Sequence, residues 1–338
     1  MSIRYSNAPC QAFIQFFAVC TAIRAIRLIS APRDRSLAYS RVIATDQDTF
    51  MLDIRNVVKT FGKDVKAVDG VSLTLHRGVI GLIGHNGAGK TTLMQMIATL
   101  TRPSSGQILF DGVDIVKQPD AIRRRLGFLP QDFGVYPNLT ATEFMQYFAA
   151  LKGVRDPARI RRLLELVNLH EHANRPAASF SGGMRRRLGI AQALLNDPDI
   201  LVVDEPTAGL DPEERLRFRN LLGELGYNKL VIMSTHIVSD VESIASELAI
   251  MNAGRLTACA TPDAILGKAR GQVWSVSVDA GDYDRLRAKV HVLHAQRQGE
   301  HMTLRIAHPC SPCAGASTVE PSLEEALMAQ RYATREAA

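Results

Sequence analysis

The stretch "GHNGAGKTT" (Gly84–Thr92) decides the fold of this chain of 338 residues. An apolar run, "GVIGLI", precedes it and a helical pattern, "TTLMQMIATL", follows it, so a buried strand leads through a glycine-rich turn into a helix. The glycines leave backbone N–H groups bare, and the helix adds the positive end of its dipole, which together suit a phosphate group. We expect Lys90 to reach the β and γ phosphates of a nucleotide and the Thr91 hydroxyl to bind magnesium. The predicted phosphate-binding residues are Gly84, Asn86, Gly87, Gly89, Lys90, Thr91 and Thr92.

A second apolar strand, "ILVVD", ends in two carboxylates, Asp204 and Glu205. In a doubly wound sheet, the carboxyl ends of the strands form the edge where ligands bind, so the acids are expected beside the phosphate loop. Asp204 is predicted to hold magnesium, and Glu205 to polarise the water that attacks the γ phosphate. Taken alone, these letters also fit an ordinary turn after a strand. Together with the phosphate loop they predict a P-loop nucleoside triphosphatase.

The stretch "FSGGMRRR" (Phe180–Arg187) narrows this prediction, because it places bare amides at a helix start far from the phosphate loop. The letters "SGG" begin 23 residues before Asp204, as 204 minus 181 shows, and resemble the signature motif of ATP-binding cassette (ABC) ATPases. The preceding residue is usually leucine in that family and is Phe180 here, an apolar anchor that should still pack. Four further residues match motifs of the family in its order: Phe61 in "TFGK" (adenine stacking), Gln131 in "LPQDFG" (Q-loop), Asp211 in "AGLD" (D-loop) and His236 in "STH" (switch histidine).

The resemblance implies a fold and a site. The fold is α/β, a P-loop ABC ATPase cassette with a RecA-like core, an antiparallel β edge and a helical subdomain, followed here by a small C-terminal α/β appendage. The cofactors are ATP and Mg²⁺, and two subunits sandwich two ATP molecules head to tail. The implied catalytic residues are Glu205, His236 and Gln131, the implied metal ligands are Thr91, Gln131 and Asp204, and Phe61, Ser181, Gly182, Gly183 and Asp211 complete the nucleotide contacts.

Each of these residues also has a plain structural interpretation. Phe61 is a single aromatic after a strand and would often be core. His236 follows the strand pattern "LVIMST" and would otherwise be a satisfied structural histidine. Asp211 could cap the helix that begins at Pro212. The order of the motifs, over about 180 residues, is what favours the functional interpretation.

A finer resemblance concerns the partner. The segments "LGFLPQDFGVYPNLTATEFMQYFAALKGV" and "SGGMRRRLGIAQALL" look like the ATPase subunits of bacterial ABC-2 type multidrug and antibiotic exporters. This implies a separate membrane permease, a second ATPase subunit in a homodimer, and a peripheral position on the cytoplasmic face of the inner membrane. The permease is expected to dock on the helical insert near Gln131. Two other functions stay open, a regulatory ABC-type ATP-binding module and a non-transport cassette acting on ribosomes or DNA.

The chain is expected to divide into three parts. Residues 1–50 form an N-terminal extension, and translation is expected to begin at Met51. Residues 51–268 form the ABC ATPase domain, with a helical subdomain at about 132–180, and residues 269–338 form a C-terminal accessory domain. Within the ATPase domain "DIRNVVKTF" is predicted as a strand, "PSSGQILFDG" as a turn and the stretch near Arg123 to Arg125 as helical. The C-terminal part is predicted to contain the strands "VWSVSVD", "VHVLHA" and "MTLRIA" and the helix "SLEEALMAQRY".

Composition excludes several classes of protein. The net charge is +6. Residues 1–50 carry six arginines and three aspartates, so half of the excess positive charge lies outside the predicted ATPase domain. Nucleic-acid binding is therefore not expected, since the short arginine runs also lack interleaved aromatics. The apolar segment "AFIQFFAVCTAIRAIRLI" is interrupted by arginines and is not expected to span a membrane. Five cysteines do not form a disulfide framework, and the single C-x-x-C pair, Cys310 and Cys313, is expected to be a loop with incidental thiols rather than a zinc site.

Overall fold

A six-stranded sheet forms the core of the structure, a computed structural model that describes residues 51–62 and 64–336. The predicted N-terminal extension and the expected start at Met51 concern residues 1–50, which lie outside the described residues. The strand order is β10-β9-β3-β8-β7-β6, and the four strands β3, β8, β7 and β6 pair in parallel. These strands are β3 (Gly78–Ile83), β6 (Leu126–Leu129), β7 (Ile200–Asp204), β8 (Leu230–Thr235), β9 (Glu247–Asn252) and β10 (Arg255–Ala260).

The four parallel strands are apolar and buried along almost their whole length, as strands covered on both faces must be. Because they are parallel, their carboxyl ends lie at one edge of the sheet. That edge receives the phosphate loop after β3, Gln131 after β6, the acid pair at the end of β7 and His236 after β8. The fold thus brings four predicted motifs to one edge.

A second, four-stranded antiparallel sheet has the order β2-β1-β4-β5. Its strands are β1 (Leu52–Phe61), β2 (Val65–Leu75), β4 (Ser105–Phe110) and β5 (Val113–Asp114). The prediction of a turn at "PSSGQILFDG" was wrong for Ser105–Phe110, which pair with β1 and bury Ile108 and Phe110, whereas Asp111 and Gly112 do form a turn. The helical stretch expected near Arg123 to Arg125 ends at Arg123, since Leu126 already begins β6.

Helices cover the parallel sheet and form the insert. They are α1 (Lys90–Ile97), α2 (Asp120–Arg123), α3 (Ala141–Lys152), α4 (Pro157–Leu166), α5 (Gly182–Ala193) and α6 (Pro212–Gly226). Within the insert, Thr140 and Glu143 form a capping box at the start of α3, and Asp156 caps α4 before Pro157. The three helices α3, α4 and α5 pack on one another around buried Phe144, Phe148 and Leu163. Helices were predicted at α3 and α4, and the structure confirms them.

The structure divides into two compact units, one with the described residues up to 236 together with 249–259, the other with 237–248 and the described residues from 260 onward. The predicted boundary at residue 268 lies within α7. The second unit contains α7 (Pro262–Ala269), β11 (Val273–Asp279), α8 (Ala280–Arg287), β12 (His291–Gln298), β13 (His301–Ala307), β14 (Ser317–Thr318) and α9 (Leu323–Glu336).

The second unit has an antiparallel sheet of order β12-β13-β11-β14 and a small core of its own around Val276, Leu304 and Ile306. Its three predicted strands and its final helix are confirmed.

Cys310 and Cys313 are free thiols, and the Cys310 Sγ lies 3.5 Å from Nδ1 of His308. Over residues 51–62 and 64–336, no group of three or more His, Cys, Asp and Glu side chains is arranged to hold a metal ion. In the same residues no helix is both long enough and apolar enough to cross a membrane.

Candidate nucleotide site

The phosphate loop connects β3 to α1 in a conformation that requires glycine at two points. Gly87 has φ +81° and Gly89, the N-cap of α1, has φ +98°. A Cβ at Gly89 would also lie 2.3 Å from the carbonyl oxygen of Ala67, so no larger residue fits there. The loop residues therefore hold the backbone close to its neighbours and leave their N–H groups accessible at the helix start.

Lys90 carries a buried positive charge at this helix start. Its side chain is 4% exposed, and its Nζ donates to the carbonyl oxygens of Gly84 at 2.7 Å and His85 at 3.2 Å. Burial lowers the pKa of Lys90, while the charges of Glu205 and Asp204 act in the opposite direction. Carbonyl oxygens of the phosphate loop therefore hold the ammonium group at the start of α1, where it can donate to a phosphate oxygen.

Asp204 is a buried carboxylate, 2% exposed, at the end of β7. Burial raises its pKa, and hydrogen bonds from Ser234 and Thr91 partly offset the effect. A buried carboxylate beside two hydroxyl groups offers the hard oxygen ligands that Mg²⁺ prefers. The chemistry of this donor set fits a divalent cation, whose charge would offset the cost of burial.

Glu205 lies where the strand-end motifs converge. Its Oε1 is 3.4 Å from Nδ1 of His236 and 3.9 Å from Nζ of Lys90, and its Oε2 is 3.4 Å from Nε2 of Gln131. Its backbone N–H donates to Oγ of Ser234 at 2.8 Å, and its φ is +42°, a left-handed conformation that is rare outside glycine. The contacts at 3.4 Å are long for hydrogen bonds.

Lys90, Gln131 and Glu205 border a cavity of about 350 Å³ beside the loop, whereas Asp204 and His236 are not among its lining residues. The lining residues are Ala67, Asn86, Gly87, Ala88, Gly89, Lys90, Thr91, Thr92, Gln131 and Glu205. The cavity is therefore lined by the backbone of the loop and Lys90, and also by Gln131 and Glu205, the residues expected to polarise water. Its lining fits a phosphate chain beside a carboxylate.

Comparison with known proteins gives the family. The model of the family described as "ABC transporter" matches residues 68–208. A Bacillus subtilis protein named ABC transporter ATP-binding protein NatA is 42% identical over 200 residues, which are 57% of this chain and 81% of that protein. This chain belongs to the ABC transporter ATP-binding proteins. A Nod factor export ATP-binding protein I from Cupriavidus metallidurans is 39% identical over 226 residues, 64% of this chain and 73% of that protein.

Solved structures agree with this family. A bacterial ABC transporter cassette, described as a dimeric structure, superposes with a TM-score of 0.58 at 27% identity, over 62% of this chain and 98% of that one. The predicted fold class, a P-loop ABC ATPase cassette, is confirmed. The chain is the ATP-binding and ATP-hydrolysing subunit of an ABC transporter.

Some residues expected in an ABC site lie apart from the cavity of this single chain. Ser181 is the N-cap of α5 and accepts a hydrogen bond from the N–H of Met184 at 3.2 Å. The signature residues Ser181, Gly182 and Gly183 thus form a helix start, and none of them lines the cavity described above. Asp211 caps α6 by accepting from the N–H of Glu214 at 2.9 Å, the structural role named as its alternative. Phe61 is 46% exposed, with Nζ of Lys59 5.0 Å from its ring centre.

Sequence reasoning about ABC motifs missed Ser234. This fully buried hydroxyl joins the two acids, because its Oγ accepts from the Glu205 N–H and donates to Oδ1 of Asp204. The register of β7 and β8, which places Asp204 opposite Ser234, creates this contact. Its signal in the sequence was a polar residue at the end of an apolar strand two residues before His236.

Proposed function

We propose that this ABC subunit hydrolyses ATP with Glu205 as the general base and thereby energises export through a separate membrane permease of the ABC-2 type. The observation that supports it most is the convergence of Lys90, Gln131 and His236 on the Glu205 carboxylate beside the phosphate loop. Groups from four different strand ends meet there, and together they supply the positive charge, hydrogen-bond donors and carboxylate that phosphoryl transfer to water uses.

In this mechanism Glu205 accepts the proton of the attacking water. The side-chain amide of Gln131 orients that water, and His236 donates to the γ phosphate from the other side of the carboxylate. Lys90 stabilises the negative charge that develops on the phosphate oxygens. Thr91, Asp204 and Gln131 would hold magnesium, which when bound neutralises phosphate charge.

The second half of each site is proposed to come from another copy of the chain. Ser181, Gly182 and Gly183 start α5 with free amides and a hydroxyl, outside the cavity formed by their own chain. They would bind the γ phosphate held by a partner's loop, which closes the dimer, and hydrolysis would reopen it. Phe61 would stack on the adenine, and Asp211 would lie at the dimer contact.

The exporter assignment rests on the similar proteins, since one of them is named as an export ATP-binding protein. We propose that the permease docks on the helical insert, residues 132–180, near Gln131 and that the subunit acts at the cytoplasmic face of the inner membrane. The three-part domain division, with an ATPase domain at 51–268, belongs to the same proposal.

Glu205→Gln tests the base. The variant is expected to bind Mg-ATP, to form a stable dimer in size-exclusion chromatography and to lose steady-state hydrolysis by about a thousandfold, because a proton acceptor is lost while shape is kept. The exposed Glu213→Gln in α6 is the matched control and should retain activity. Undiminished hydrolysis by Glu205→Gln would refute the assignment.

The shared site has its own test. Chains with Ser181→Arg are mixed with chains with Lys90→Ala, so that each heterodimer keeps one intact composite site. Dimerisation that depends on the γ phosphate should occur in the mixture and in neither variant alone. Its absence from the mixture would contradict the shared site while leaving the Glu205 assignment untouched.

A further inference from the structure

The three consecutive arginines after the signature motif, Arg185, Arg186 and Arg187, have different surroundings. Nη2 of Arg185 donates to the carbonyl oxygen of Ala178 at 2.9 Å near the surface. Nη2 of Arg187 donates to Oε1 of Glu214 at 3.2 Å, which links α5 to α6, and its Nη1 donates to the carbonyl oxygen of Val167 at 3.1 Å. These two side chains have structural partners, so they need no role in the nucleotide site.

Arg186 differs from both neighbours. Its Nη1 is buried and has no hydrogen-bond partner. Nε of Arg187 is also buried without such a partner, but the other two nitrogens of that guanidinium donate to Glu214 and Val167. The charges that act on its guanidinium are those of Asp132, Glu205 and Asp204, which oppose the lowering of its pKa by burial. A buried donor without a partner is costly, and three carboxylates act on the same guanidinium, so this N–H points to a partner in another state of the site.

The packing of α5 shows which segment this face of the helix meets. Gly189 lies three residues after Arg186, on the same face. A Cβ at Gly189 would be 2.6 Å from Cδ1 of Leu129 and 3.1 Å from the ring of Phe133. This face of α5 therefore packs on the segment that contains Gln131 and Asp132.

We propose that Arg186 is a positioning residue for hydrolysis, whose unpaired guanidinium N–H binds Asp132 in the turnover state and thereby holds Gln131 against Glu205. The proposal rests on the proposed role of Glu205. The Gln131 Nε2 to Glu205 Oε2 distance of 3.4 Å leaves room for such tightening. Lys90 is already held by loop carbonyls, so Arg186 supplies a second positive charge on the side of the Q-loop.

The test compares Arg186→Met, which keeps the length and removes the charge, with Arg185→Met as the matched control. With the full chain and Mg-ATP, Arg186→Met is expected to lower kcat by about ten- to a hundredfold, the effect of one charge-assisted hydrogen bond, and to change KM by less than about threefold. Arg185→Met should leave both constants unchanged. Arg186→Lys should recover part of kcat, since it restores the charge without the planar fork.

A double-mutant cycle with Asp132→Asn identifies the partner. Asp132→Asn alone should lower kcat by a similar factor, and the double variant should be no slower than the slower single variant. If the loss in kcat of the double variant equals the product of the two single losses, the Arg186–Asp132 pairing is overturned. An unchanged kcat in Asp132→Asn would also overturn it. Since Asp132 is exposed, that variant is expected to fold even if Arg186→Met does not, and circular dichroism checks both.

The outcomes separate this inference from the proposed function. If Glu205→Gln abolishes turnover while a folded Arg186→Met keeps full kcat, the positioning role is wrong and the base assignment stands. If Glu205→Gln remains active, the base assignment itself fails. A rise in KM with unchanged kcat would show that Arg186 serves binding, and would overturn the positioning role.

Discussion

Replacing Ser234 by alanine is the sharpest test of how the two acids are held. The substitution removes one hydroxyl from the fully buried end of β8. That hydroxyl donates to the Asp204 carboxylate and accepts from the Glu205 N–H at 2.8 Å. Both acids therefore lose a contact at once, although neither is changed.

The magnitude follows from these two bonds. A hydrogen bond to a charged group contributes about 1.5–3 kcal/mol, and a buried N–H left without a partner costs about 1–3 kcal/mol. Allowing for partial relaxation, we expect a loss of about 3–4 kcal/mol in the free energy of unfolding. At about 2–4 °C per kcal/mol for a domain of this size, Tm should fall by about 6–16 °C. The pKa of Asp204 should rise further, because the Ser234 bond now counters the effect of burial.

The assay is thermal unfolding of the nucleotide-free chain, with steady-state hydrolysis measured in parallel. Ser105→Ala, at an exposed position of β4, is the matched control and should leave Tm within about 1 °C. Hydrolysis by Ser234→Ala should fall as well, since Glu205 loses the bond that fixes its backbone. A Tm equal to that of the control would refute the reasoning.

Two further predictions concern packing and pH. Gly127→Ala should lower the free energy of unfolding in urea by about 1–3 kcal/mol, because a Cβ there would lie 2.6 Å from the backbone oxygen of Ala193. Gly134 has open space around it, so Gly134→Ala should leave the free energy of unfolding unchanged. In the second unit, burial raises the pKa of Glu325, but hydrogen bonds from Arg305 and Ser322 outweigh it and lower the pKa overall. The free energy of unfolding that this lowered pKa contributes is present above the unfolded carboxyl pKa of about 4.3 and is lost as pH falls through the folded value. Arg305→Met should therefore make the free energy of unfolding fall less steeply at acid pH. An unchanged pH dependence in this variant would contradict the pairing.

The motifs at strand ends could be predicted from the sequence because each combines a long apolar strand with its own chemistry within a few residues. "GVIGLIGHNGAGKTT" and "ILVVDEP" carry strand, turn and functional group together. β6 could not be predicted in this way, because "LGFL" is too short to show a period and owes its place to pairing with β7. β4 was obscured by "PSSG" at its start, and only the partner strand β1 makes it extended.

Contacts that depend on register or on helix rotation were also beyond the sequence. Ser234 reaches Asp204 only through the pairing of β7 with β8. The three arginines of "RRR" are identical letters, and only the structure shows that Arg185 and Arg187 donate to neighbouring groups while Nη1 of Arg186 is buried without a partner. Asp211 illustrates a further limit, since its capping of α6 uses the same residue that is proposed to contact a partner chain.

The left-handed backbone at Glu205 has a consequence for mutant libraries at this position. Glutamine, asparagine or glycine can adopt a φ near +42°, whereas valine or isoleucine would strain the chain and lower the yield of folded protein. Expression level would then separate two kinds of inactive clone, those that lack a proton acceptor and those that cannot form the turn. A library at position 205 scored for both yield and turnover would measure conformational and chemical constraint at a single residue.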